Sequence, residues 1–130
     1  MSDDAPPNDP LAEGVRLFNE GYFFEAHEIL EDAWHIERGE PRRFLQGLIQ
    51  VCAGCHHWSN ANATGAMSLF NKALDKFRGY PAEYLGINLD DLRAKVEDWR
   101  DRAERGEHLE TPRIRLGGRG ARDEEPGRPS

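Results

Sequence analysis

Apolar residues recur along this chain at helical intervals, and Gly, Pro and Asn mark the breaks between the periodic stretches. Leu11, Gly14, Val15 and Phe18 share one face of a short helix that Asp9 caps, Pro10 opens and Gly21 ends. Phe23, Ala26, Leu30, Ala33 and Trp34 give the apolar side of a second helix, from about Tyr22 to Glu37. Gly39, Glu40 and Pro41 then break the chain, and Pro41 suits the start of a third helix. After a turn at Asn60 to Thr64, the residues Ala66, Leu69, Phe70, Ala73, Leu74 and Phe77 repeat at i, i+3, i+4, i+7, and Gly79-Tyr80-Pro81 stops that fourth helix. A connector bearing Tyr84, Leu85 and Ile87 leads to Asn88, the expected cap of a fifth helix built on Leu89, Leu92, Val96, Trp99 and Ala103 and closed by Gly106.

No alternating strand pattern interrupts this series. The pattern therefore predicts an all-α fold, a single five-helix bundle of antiparallel hairpins spanning 9–106, with helices one and two paired and helices three and four paired. Residues 1–8 are acidic and Pro-rich and are expected to be disordered. Residues 107–130 read as an extended or disordered tail, in which Thr111 to Leu116 is expected to lie along the body through Ile114 and Leu116.

The third helix departs from ordinary amphipathic design. Phe44 to Trp58 contains no Asp, Glu, Lys or Arg, in a chain that is 32% charged. Projected at 100° per residue, Phe44, Leu45, Leu48, Ile49, Cys52 and Cys55 share one side. Gln46, Gln50 and His57 lie opposite, beside Ala53 and Gly54. A helix with no charged face is expected to be covered on most sides, and covered amides and imidazoles need partners.

A second polar stripe lies on the second helix. His27 and Glu31 are one turn apart and Trp34 follows three residues later, at the margin of the apolar face. A carboxylate one turn from an imidazole can hold its tautomer and raise its basicity, and Trp34 would wall off water. If the second and third helices pack antiparallel, the two stripes face each other. The candidate pocket is then His27, Glu28, Glu31, Trp34, Gln46, Gln50 and His57, with His27, Glu31 and His57 as the candidate ligands of a divalent metal. The plain alternative is a helix-stabilising His–Glu pair beside a core Trp.

Composition narrows the choice of partner. A net charge of −7 and no basic stripe argue against nucleic acid. No apolar run reaches the length of a membrane span, and the chain opens without a positive, apolar leader, so a cytoplasmic protein is expected. Cys52-Ala53-Gly54-Cys55-His56 spells the attachment motif of a c-type haem. That chemistry needs export, and the motif lies within a helix the core requires, so haem is not expected. A thioredoxin-like pair lacks its βαβ surroundings, and a zinc site lacks a second ligand pair. The cysteines read best as small buried apolar residues. His27-Glu28 does not open a zincin motif, because position 31 is Glu.

GYFFEAHEILEDAW, then FLQGLIQ, then a His shortly before the Gly-Ala that opens an apolar helix resemble the bacterial and archaeal domain-of-unknown-function family 309 over roughly Leu11 to Trp99. The resemblance implies a small all-α domain. It places His27, Glu28, Glu31, Trp34, Gln46, Gly47, Gln50 and His57 at signature positions, and it brings no known activity, cofactor or substrate. Cys52 and Cys55 stand where the family tends to have small residues such as Ala.

Two functions remain open. One is a pocket for a small ligand or metal, which would be hydrolytic with His27 or His57 as general base and Glu31 orienting it. The other is a non-catalytic interaction module. Gly21-Tyr22 and Ala26 are spaced as in half of a tetratricopeptide repeat, and the polar stripe would then be structural or the seam of a homodimer.

Overall fold

The computed structural model describes residues 9–109 and 112–116. Five helices carry the fold: α1 (Pro10–Asn19), α2 (Phe23–Ile36), α3 (Pro41–Ser59), α4 (Ala63–Phe77) and α5 (Leu89–Glu104). Their starts follow local chemistry. Asp9 accepts the N–H groups of Leu11 and Ala12, Asn62 accepts that of Gly65, and Asn88 accepts that of Asp91. The readings for residues 1–8 and for the stretch after Leu116 fall outside the described residues.

Cross-helix contacts give the relative directions. Gly14 meets Leu30 while Phe18 meets Phe23, so α1 and α2 run antiparallel. Arg42 covers Trp34 at one end of the α2–α3 pair and His56 reaches Phe24 at the other. Gly47 lies against Phe77 and Gly54 against Phe70, so α3 and α4 are antiparallel too. Phe70 continues to Trp99 of α5, and Phe18 of α1 also reaches Trp99, with ring centroids 6.1 and 6.2 Å apart. These rings link the two ends of the helix series into one core.

The α3 helix, uncharged from Phe44 onward, is the central element, packed by α2 and α4. Ten of its residues are buried, from Phe44 to Trp58, which accounts for the lack of Lys and Glu there. Gly47 and Gly54, seven residues apart, let α4 approach. A Cβ at either would stand 2.6 Å from a ring carbon of Phe77 or Phe70. The helix series holds as read from periodicity, with one addition. The connector folds into a minimal antiparallel hairpin, β1 (Glu83–Tyr84) and β2 (Ile87–Asn88), too short to show alternation. Ile114 is buried at 3% exposure, whereas Leu116 stays half-exposed and pairs with Ile87 through backbone only. No helix among the described residues is long and apolar enough to cross a membrane.

Candidate functional site

Phe23, Ala26, Leu30 and Ala33 turn α2 into the core, which leaves Phe24, His27, Glu31 and Trp34 along its edge at three- and four-residue spacing. Glu28 points to solvent. On α3 the corresponding edge carries Arg42, Gln46, Gln50, Ala53 and His56, all part-buried. The two edges meet along an antiparallel seam. At one end the Phe24 ring stacks on His27, with centroids 6.0 Å apart and an interplanar angle of 13°, and lies 5.7 Å from His56. At the other end the Arg42 guanidinium lies 3.9 Å from the centre of the Trp34 ring.

Along this seam polar atoms are buried without partners. His27 Nδ1, Trp34 Nε1, Arg42 Nε and Gln50 Oε1 have no hydrogen bond from any described residue. Asp91 Oδ2 also lacks a directional hydrogen bond, but it sits 2.9 Å from Lys95 Nζ and is satisfied by that charge. Buried polar atoms in folded proteins are nearly always paired, and leaving one unpaired costs about 1–3 kcal/mol. Three such atoms, on His27, Trp34 and Arg42, set this seam apart from the rest of the domain, while the fourth, on Gln50, lies toward α4.

The sequence-derived set is only partly brought together. His27, Glu31 and Trp34 share the α2 edge as expected, but no hydrogen bond joins Glu31 to His27 among the described residues, so the expected orienting pair is not formed. Gln46 lines a solvent-open groove of about 490 Å³ with Trp34, Arg42, Arg43, Lys76, Tyr80 and Tyr84. Gln50, one turn on, lines a different hollow of about 410 Å³ against Asn71, Lys72, Asp75 and Lys76 of α4.

His57 leaves the seam altogether. Its Nδ1 accepts from Asn62 Nδ2 at 3.1 Å, which ties it to the α3–α4 turn, and it is His56 that faces α2. His56 and His57 are consecutive on α3 and so point about 100° apart, which sends His56 to Phe24 and His57 to Asn62. No three His, Cys, Asp or Glu side chains among the described residues are grouped to hold a metal ion, so His27, Glu31 and His57 do not form a ligand set.

Sequence reasoning missed Phe24, Arg42 and His56. Arg42 had a legible signal, since it lies one turn before Gln46 on the same stripe. Phe24 had none, because an aromatic beside a core Phe reads as packing, yet it is half-exposed here. Cys52 and Cys55 are free thiols with no exposure, and burial pushes both thiol pKa values up.

Residues 11–69 match the family described as a domain of unknown function (DUF309). An uncharacterised protein of Aquifex aeolicus (strain VF5) is 32% identical over 89 residues, which are 68% of this chain. The aligned part spans only 27% of that relative's own length. The stretch from Leu11 to Leu69, which holds α1, the α2–α3 seam and the start of α4, is the part of the chain that matches the DUF309 family.

Proposed function

We propose that this domain binds a small ligand in the groove where Trp34, Arg42 and Gln46 meet the connector after α4. The supporting observation is the pair of buried N–H donors, Trp34 Nε1 and Arg42 Nε, that find no acceptor within the described chain. Both belong to residues lining a groove whose volume, about 490 Å³, is in the range of small-molecule sites. Gln46 adds an amide at the same place, and Tyr80 and Tyr84 add apolar wall. The reading is of binding, in the cytoplasm, by the unit of residues 9–106. Metal-assisted hydrolysis is not carried forward, because its ligands His27, Glu31 and His57 are not gathered.

A thermal-shift screen of small metabolites tests this reading. A ligand that binds only the folded state raises its stability by RT ln(1 + [L]/Kd), about 2.7 kcal/mol at a hundredfold excess over Kd. Compounds that raise the midpoint of wild type, and not that of Trp34→Phe, would support the groove. A screen in which no compound distinguishes the two proteins would defeat it.

A second reading, a protein-interaction module, is favoured by a separate observation. Tyr22, Phe24 and Ile36 on and beside α2 are 52%, 50% and 78% exposed, which is unusual for large apolar groups on one helix. The relative with 32% identity is also several times longer than the part it shares with this chain. Concentration-dependent self-association lost in Phe24→Ser/Ile36→Ser would move the balance to this reading.

A further inference from the structure

Resting on the groove reading above, we infer that the ligand is a small organic anion, a phosphate or carboxylate carried on a flat ring. The chain as a whole is acidic, at −7, yet the groove gathers Arg42, Arg43 and Lys76 against the single carboxylate of Glu40. Arg43 has a structural reason for its place. Its guanidinium donates to the carbonyls of Lys76 and Arg78 at 3.0 and 2.9 Å and lies over Tyr80, fastening the end of α4.

Arg42 and Lys76 have no such reason. Neither pairs with a carboxylate among the described residues, although the chain has 24 Asp and Glu. Arg42 touches the Trp34 ring and keeps a buried Nε–H unused, and Trp34 keeps a buried indole N–H unused beside it. Arg42 and Arg43 also stand in the first turn of α3, which has no acidic residue and no side-chain cap. Cations there oppose the helix dipole, whereas an anion would be favoured. An anionic group in the groove would answer all of these at once. It would accept from two N–H donors, neutralise two unpaired cations and complement the helix end, while Trp34 and Tyr84 flank its ring.

The Trp34 indole N–H is a direct reporter. In a ¹H–¹⁵N spectrum assigned with Trp34→Phe, titration with phenyl phosphate or benzoate should move the Trp34 signal. The Trp58 indole, which donates to the Glu107 carbonyl at 2.9 Å, should stay in place. Arg42→Gln and Lys76→Gln should each weaken binding about tenfold, and rising salt should weaken it further. Stronger response to phenyl phosphate than to benzoate would assign the anion as phosphate, and the reverse as carboxylate. Equal response to inorganic phosphate would overturn the ring. Benzylamine or benzyl alcohol acting as well as the anions would overturn the charge assignment and leave the groove reading standing. If no probe moves Trp34 in a well-dispersed spectrum, both fall.

Discussion

Asn19 and Ile114, 95 positions apart, exchange two hydrogen bonds. Asn19 Nδ2 donates to the Ile114 carbonyl at 3.1 Å, and the Ile114 N–H donates to Asn19 Oδ1 at 2.7 Å. One side chain at the end of α1 thus takes the place of a neighbouring strand for a segment that has only an isolated bridge on its other side, where the Asn88 N–H donates to the Arg115 carbonyl. The result holds the Ile114 side chain in the core. Asn19→Ala leaves two backbone groups unpaired and should cost about 1–3 kcal/mol in urea unfolding. Removing the chain after residue 109 should cost at least as much, since it also uncovers the site of a buried Ile. Combining the two should add nothing to the truncation, whereas additive losses would mean that Asn19 acts through something else.

Close approach of α3 and α4 gives a sharper prediction. The Phe70 and Phe77 rings, both with no exposure, occupy the space a side chain at Gly54 or Gly47 would need. Gly47→Ala and Gly54→Ala should each destabilise by about 1–3 kcal/mol through overpacking, although Ala is the better helix former by about 1 kcal/mol. Gly54→Ala paired with Phe70→Leu should recover part of the loss, and unfolding midpoints measure both. A stabilising Gly47→Ala would show that the helices can separate freely.

The helices were legible because each writes its own periodicity. Leu89, Leu92, Val96, Trp99 and Ala103 are all buried as the repeat predicts, and Asp9 and Asn88 cap their helices as expected. Helix rotation was less legible. Projection grouped Gly54 with the polar side of α3, but a glycine serves any helix that comes close, and Phe70 is what comes. His57 was misassigned to the α2 side for a related reason. Gln46, Gln50 and His57 do share one face, within about 40° on the projection, but that face reaches the α3–α4 turn at its far end, where Asn62 takes His57. Which partner faces a side chain is set by inter-helix geometry, which one helix's sequence does not encode.

Asn62 shows what His57 does instead. Its Oδ1 accepts from the Gly65 N–H at 3.0 Å to cap α4, and its Nδ2 donates to His57 Nδ1 at 3.1 Å. That pairing places the neutral imidazole proton on Nε2. Asn62→Ala should cost about 0.5–2 kcal/mol by loss of the cap. In a double-mutant cycle His57→Ala should couple to it, and it should leave ligand binding at Trp34 untouched. A His57→Ala variant that loses binding while keeping stability would return His57 to the site.

Buried thiols make stability depend on alkaline pH. Burial raises the pKa values of Cys52 and Cys55 above the ordinary thiol range. Below about pH 8.5 the thiols are protonated in both folded and unfolded chains and contribute no slope. Above it the unfolded chain ionises and the folded one does not, so stability is lost as pH rises. The slope approaches about 1.4 kcal/mol per pH unit for each cysteine. Cys52→Ala/Cys55→Ala should flatten that slope, whatever it does to the absolute stability. In native protein a thiol-specific dye should react only at the rate of unfolding.

The β1–β2 loop contains a residue poorly suited to its backbone. Tyr84 and Ile87 pair directly, leaving Leu85 and Gly86 as a two-residue turn with φ of +51° and +82°. Positive φ at both positions is the signature of a type I′ turn, for which Asn-Gly is strongly preferred and a bulky Leu is strained. Leu85 gains little in compensation, since it is 47% exposed at the rim of an apolar hollow with Ile36 and Leu11. Leu85→Asn should therefore raise stability by about 0.5–1 kcal/mol and leave the Trp34 indole signal unchanged. A loss of stability would mean that Leu85 contributes more through the Ile36 hollow than it costs in the turn.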